Sequence, residues 1–167
     1  MSISIRKLEE SEWQTLADIR LRALKSDPSV FGSNYAAEAQ WTESDWRQRL
    51  NNDDSAIFVV FDGDRPVGMT AISVDRDDPA KKTAMLWGSW LEPDCRRKGI
   101  SEIMYRARIE WAREHPTVER IIVSHRESNV ASKFANQKHG FVFSRMHSKV
   151  WHDGVTENEV FYGLLVK

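Results

Sequence analysis

Apolar positions along this chain switch repeatedly between two periods. Ile3 and Ile5 alternate with polar neighbours and predict a first strand over residues 3–8. Trp13, Leu16, Ile19, Ala23 and Leu24 then recur at helical spacing as far as Asp27-Pro28, with Ser11 and Gln14 placed as a capping box. Thr42 with Asp45 opens a second helix through Trp46 and Leu50, after an irregular, aromatic stretch at residues 30–35. Period two returns in an apolar run over residues 56–61, a tight turn at Asp62-Gly63 and a strand over 67–74. Beyond the polar loop 75–79, residues 83–91 predict another strand. Ile100, Ile103, Met104, Ala107 and Trp111 share a helical face that His115-Pro116 closes. A short buried strand is predicted over 120–124. Asn129 caps a helix to about His139, Gly140 stops it, and Phe141 starts the next strand. Asp153-Gly154 predicts a last hairpin into 160–166.

Strand, two helices, three strands, helix, strand, helix and two strands make a mixed α/β fold, with no linker, repeat or low-complexity segment. At 167 residues, the expectation is one domain spanning residues 1–167. A net charge of −1 argues against nucleic-acid or membrane-surface partners, so any anion site is local. The lone Cys95 excludes an internal disulfide, and a reducing, cytoplasmic setting is the simplest expectation. The N-terminus lacks a leader-like apolar core, and no apolar run is long enough for a membrane span. The histidines lack zinc spacing, so no metal is expected. Dinucleotide, Walker and nucleophile-elbow motifs are all missing.

The chemistry concentrates at Arg96-Arg97-Lys98-Gly99-Ile100-Ser101, between a strand and a helix. Free amides and the positive end of a helix dipole favour an anion there, and glycine allows close backbone approach. By itself the run reads more readily as a solvated basic turn than as a ligand site. Beside Arg96, the Cys95 thiol is expected to ionise more readily, though no partner gives it a catalytic role. Trp87 and Trp90 flank Gly88-Ser89, so one is expected to face the core and the other a cleft.

The pattern Arg-x-x-Gly-x-Ser after Leu91-Glu92-Pro93-Asp94 resembles the acyl-CoA signature of the GNAT superfamily of N-acetyltransferases. Asn129, Lys138 and Gly140-Phe141 stand at the spacing of that family's second segment, and the element order agrees over nearly the whole chain. The resemblance implies a single-domain GNAT-like α/β fold: a central mixed, mostly antiparallel sheet of about seven strands flanked by about four helices. It implies acetyl-CoA as co-substrate, held between the splayed fourth and fifth strands. The backbones of Trp90 and Leu91 would pair with the pantetheine arm, and the Leu91 amide would stabilise the oxyanion. Asn129 would bind the pantetheine, Asn136 would stand beside the leaving sulfur, and the amides of Arg97, Lys98, Gly99, Ile100 and Ser101, with the Arg96 side chain, would hold the pyrophosphate. Phe31, Tyr35 and Glu38 would line the acceptor pocket.

Three positions depart from the family pattern. Ser101 and Ser132 stand in for small residues. Asn136 replaces the tyrosine that commonly protonates the CoA thiolate, for which water or Tyr35 could substitute. Met85 occupies the place of a frequent catalytic glutamate, leaving Glu38 and His125 as candidate bases. The implied activity is transfer of acetyl to a primary amine, on a small molecule or a peptide. A non-catalytic acyl-CoA-binding module is the alternative. The resemblance is also compatible with a homodimer formed through the C-terminal strands or exposed aromatics such as Trp151.

Overall fold

A computed structural model describes residues 1–167. Seven strands, β1 (Ile3–Lys7), β2 (Ser55–Asp62), β3 (Arg65–Val74), β4 (Thr83–Leu91), β5 (Arg120–Arg126), β6 (Val142–Val150) and β7 (Thr156–Leu165), form one mixed sheet. Its order is β1-β2-β3-β4-β5-β7-β6, antiparallel everywhere except between β4 and β5. Five helices cover it: α1 (Trp13–Ser26), α2 (Tyr35–Glu38), α3 (Glu43–Leu50), α4 (Ile100–Glu114) and α5 (Val130–Lys138). The expected seven-stranded architecture is therefore present, with a fifth, four-residue helix that starts at the last residue of the stretch read as irregular.

Strand β2 shows why its apolar run is continuous. Ile57, Val59 and Phe61 pack toward α1 and α3, while Ala56 and Phe58 pack toward α4. A strand covered on both faces loses its polar alternation. The cap at Thr42 forms as predicted: the Asp45 N–H donates to Thr42 Oγ1, and the Asp45 carboxylate accepts from the Thr42 N–H at 2.8 Å. The Ser11–Gln14 cap does not form. Instead Glu12 accepts from the Glu9 N–H at 2.9 Å, two residues earlier than expected.

Two irregularities place the site. Strands β4 and β5 pair only over Thr83–Met85 and Arg120–Ile122, then diverge. Strand β5 stays paired with β7 along its whole length, so the divergence opens a cleft without unravelling the sheet. In addition, Met69 pairs with Trp90 but Ala71 pairs with Trp87, so two residues of β4, Gly88 and Ser89, oppose Thr70 alone. Gly88 takes φ +66° at this bulge, a conformation that glycine adopts readily. The bulge changes the expectation for the tryptophans in one respect: they share a face, and each touches both the core and the cleft. The extra residue restores Trp90 to the face of Trp87, and both pack into the α1-side core. Trp151, expected to be exposed, is buried, with its Nε1–H donating to the Glu157 carbonyl.

Candidate active site

The anion turn takes the shape a nest requires. Arg97 and Gly99 both have positive φ, 62° and 77°, and Gly99 is the N-cap of α4. The backbone N–H groups of Arg97 through Ser101 donate to nothing within the chain. Five consecutive free amides, running into the first turn of a 15-residue helix, form an anion cradle. The Arg97 and Lys98 side chains are exposed beside it, while the Ile100 side chain belongs to the core.

Arg96 serves the turn differently from the expectation. Its Nε–H donates to the Leu91 carbonyl at 2.9 Å and its Nη2 to Asp27 at 2.7 Å. Trp90 Nε1 donates to the same Asp27 carboxylate at 2.7 Å. Asp27 thus clasps the end of α1 to β4 and to the anion turn. Burial opposes its ionisation, but hydrogen bonds from Arg96, Trp90 and Ser26 together outweigh that and hold the carboxyl below its usual range. Next door, burial pushes the Cys95 thiol upward, with the Asp94 charge acting the same way. The expectation of a more acidic thiol is therefore reversed.

Leu91 lies on the open edge of β4. The Glu92 N–H donates to Val67 on β3, so strand alternation turns the N–H and carbonyl of Leu91 toward the cleft. Trp90, Leu91, Arg96 and Ser101 line the outer chamber, about 330 Å³, together with Tyr105, Arg108 and Asn129. Asn129 caps α5 through its Oδ1, accepting from the Ser132 N–H at 3.1 Å, and its side-chain nitrogen is not used by the cap.

The inner chamber, about 590 Å³, lies where β4 and β5 diverge and falls within the usual size of ligand sites. It shares Ser89, Tyr105, Arg108, Asn129 and Ser132 with the outer one, so the two form a continuous passage. Phe31 and His125 line it as expected; Tyr35 and Glu38 do not. Tyr35 is exposed on α2. Glu38 is only 2% exposed and faces away from the chamber into an ion pair with Arg20, Nε–Oε1 2.9 Å and Nη2–Oε2 3.1 Å. It is committed to the core rather than free to meet an amine.

His125 sits at the buried end of β5. Its Nδ1 lies 2.6 Å from the Arg126 carbonyl, an acceptor only, so Nδ1 carries the proton. In the neutral ring Nε2 then presents a lone pair, and it is buried without a partner. Asn136, 1% exposed, accepts a hydrogen bond from the Tyr105 hydroxyl at its Oδ1, and its Nδ2 is likewise buried and unpartnered. Burial raises the Tyr105 phenol above its usual range, with the Arg108 cation opposing, so the hydroxyl stays neutral and donating.

Sequence reading missed Tyr105, Arg108, Arg20 and Glu159, all of which line the inner chamber. The signal was present in α4: Ser101, Tyr105, Arg108 and Ala112 recur at i, i+4, i+7 and i+11, a second stripe beside the aliphatic one. Arg108 is 2% exposed; it donates to the Met104 carbonyl and, at 2.9 Å, to Ser89 Oγ. Burial pushes it down to about 10, and no carboxylate acts on it.

A parallel strand pair splayed beside a β4 bulge, with an amide nest at the cleft mouth, is the architecture of acyl-CoA-dependent transferases of one fold. A model of the acetyltransferase (GNAT) family matches residues 13–141, and the chain belongs to that family. An acetyltransferase of the GNAT family from Streptococcus pneumoniae superimposes with a TM-score of 0.82 at 18% identity, covering 99% of this chain and 100% of that one. The protein yncA from Salmonella typhimurium, solved with its cofactor acetyl-CoA, gives 0.80 at 14% identity, over 100% of this chain and 95% of that one. A ribosomal-protein alanine acetyltransferase from Vibrio fischeri gives 0.81 at 20% identity, over 100% and 94%. No curated protein matches by sequence.

Proposed function

We propose that the protein transfers the acetyl group of acetyl-CoA to a primary amine by direct attack on the thioester. The observation that carries this reading is the division of one passage into a cradle of free amides at its mouth and a buried, unpartnered lone pair, His125 Nε2, at its inner end. The amides of Arg97 to Ser101 take the pyrophosphate. The pantetheine arm lies along the open edge of β4 at Leu91, where the Asn129 side chain holds it. That places the thioester near the shared wall of Ser89, Tyr105 and Arg108.

An alkylammonium, with a pKa near ~10, must lose a proton before it can attack. His125 Nε2 accepts it, and the Arg126 carbonyl fixes the ring tautomer that makes this possible. The amine then adds to the carbonyl carbon, and the Leu91 N–H meets the developing oxyanion. As the C–S bond breaks, the remaining excess proton on nitrogen passes to the thiolate. Asn136 cannot supply a proton, but its Nδ2–H donates a hydrogen bond to the departing sulfur, and the Tyr105 hydroxyl holds the amide in that orientation. Glu38, expected as a base, has no part in these steps; it holds Arg20 in the chamber wall.

The neighbouring ribosomal-protein acetyltransferase supports peptide amines as one acceptor class alongside small molecules. No helix is long and apolar enough to cross a membrane, and the reading places the enzyme in the cytoplasm, where acetyl-CoA is made available.

The test is thiol release from acetyl-CoA across an amine panel, with the acetyl-CoA Kd measured separately. Turnover is expected, with His125→Gln lowering kcat by roughly 10²–10⁴-fold while the Kd holds. Tight acetyl-CoA binding with no release to any amine would make the protein a binding module instead.

A further inference from the structure

Native interiors leave few buried polar atoms without partners, and each exception calls for an explanation. Five side-chain nitrogens are in that condition here: Arg20 Nη1, Arg22 Nε, His125 Nε2, Arg126 Nε and Asn136 Nδ2. All but the one on Arg22 belong to residues lining the inner chamber. Asn136 and His125 have roles in the transfer itself. The other two, Arg20 Nη1 and Arg126 Nε, are N–H donors on guanidinium groups, and the transfer of acetyl does not use them.

Arg20 is built in, not adventitious. It is 8% exposed, and Glu38 occupies its Nε and Nη2. The Phe31 and Trp87 rings lie 5.0 and 5.7 Å from its guanidinium carbon. What remains is Nη1, lying against the chamber-lining bulge 3.4 Å from where a Cβ on Gly88 would stand. Glycine at the bulge leaves that edge of the guanidinium uncovered. Arg126 is similarly committed on one side, donating to Asp153 at 2.8 Å, while its Nε stays unpartnered.

The charges of the chamber wall are also unevenly matched. Arg20 is neutralised by Glu38, Arg126 lies by Asp153 and Glu157, and Lys149 pairs with Glu159 at 3.2 Å. Arg108, buried and holding only the neutral Ser89 hydroxyl and a carbonyl, has no anion. The four cations and the four carboxylates balance in number, but two of the carboxylates lie by Arg126 and none lies by Arg108, and the unpartnered donors sit on different residues.

From this we infer that the acceptor is an amine bearing a carboxylate, as in an α-amino acid or a small relative of one. The carboxylate takes the N–H of Arg20 Nη1 and balances the Arg108 charge, and the ammonium donates to His125 Nε2. One zwitterion satisfies orphaned groups of opposite demand in the same chamber. A phosphate would bring up to two charges and three acceptor oxygens to donors that are offered one at a time. This inference deepens the acetyltransferase reading and rests on it.

The experiment compares matched acceptors: amino acids, their carboxamides, their decarboxylated amines and aminoalkyl phosphates. Thiol release gives kcat/KM for each. Thermal shift of the CoA-loaded protein reads binding of the corresponding N-acetyl products without any need for turnover. Carboxylates are expected to exceed their amide and decarboxylated partners by at least about tenfold, the worth of one charged hydrogen bond. The Arg20→Gln/Glu38→Gln pair, which leaves no lone charge in the core, is expected to erase that preference while the acetyl-CoA Kd holds. Equal turnover of carboxylate and decarboxylated acceptors would overturn the inference and leave the acetyltransferase reading standing, as would a preference for the phosphates. A preference that survives the paired substitution would overturn it too. Failure of acetyl-CoA to bind at all would remove the parent reading and this one with it.

Discussion

Removing Glu38 should unfold the protein more easily by an amount that its surroundings set. The carboxylate is 2% exposed and makes two hydrogen bonds, at 2.9 and 3.1 Å, to an arginine that is 8% exposed. Breaking a buried ion pair from one side typically costs ~3–5 kcal/mol, because the surviving charge is stranded. Arg20 keeps its contacts with the Phe31 and Trp87 rings, which places the expected cost of Glu38→Leu near the low end, ~3 kcal/mol. Arg49 is exposed, so although Glu38 opposes the lowering of its pKa by burial, the loss of that charge adds little. With a urea slope of ~2 kcal/mol per molar, the unfolding midpoint should fall by ~1.5 M at unchanged slope. Arg20→Met combined with Glu38→Leu should recover much of the loss, since replacing both partners by apolar groups is often near neutral. Equilibrium urea denaturation of wild type, both singles and the double measures all four corners of the cycle. A single-variant drop below ~0.5 M, or a double variant that loses the sum of the singles, would refute the stranded-charge argument.

Other outcomes follow from the same geometry. Gly99→Asp forces a side chain into a left-handed N-cap at the anion turn and sets a carboxylate among its free amides, so acetyl-CoA affinity should fall at least about tenfold by calorimetry. Gly68→Ala places a Cβ 2.5 Å from Leu91 Cδ2 and 2.7 Å from the Trp90 carbonyl, so β4 must shift; a loss of ~1–3 kcal/mol is expected, together with weaker acetyl-CoA binding. Asp27 has a folded-state pKa below its unfolded value near ~3.9, so its contribution is present above that pH and is lost as pH falls through the folded value. Acid titration of Asp27→Asn should therefore show a shallower loss of stability below about pH 4 than wild type.

Much of the fold was legible because the hydrophobic period is locally consistent. Strand β4 was read over its full range, the Thr42 and Asn129 caps form, and Gly140 ends α5 at φ +88°. The errors came where one extra residue or one distant partner decides the outcome. The bulge at Gly88-Ser89 reverses which face Trp90 presents, and only pairing with Thr70 across the sheet reveals it. Glu38 looked like a free carboxylate near an acceptor loop, but its fate is set by Arg20, 18 residues earlier on another helix. Arg108 and Tyr105 fall outside the aliphatic stripe of α4, the only face of that helix that the hydrophobic period picks out. Their burial depends on the cleft that β4 and β5 create by parting. The anion turn was visible as a cluster of charge, yet the free amides, not the charged side chains, carry its geometry, and Arg96 is occupied by Asp27 and the Leu91 carbonyl.

The most direct test of the account is the structure of this chain crystallised with acetyl-CoA. The account predicts the pyrophosphate within hydrogen-bonding distance of the Arg97–Ser101 amides, the pantetheine arm along the open edge at Leu91, and the thioester carbon between the Leu91 N–H and His125 Nε2. A cofactor lying outside the β4–β5 cleft, or one whose thioester points away from His125, would contradict it.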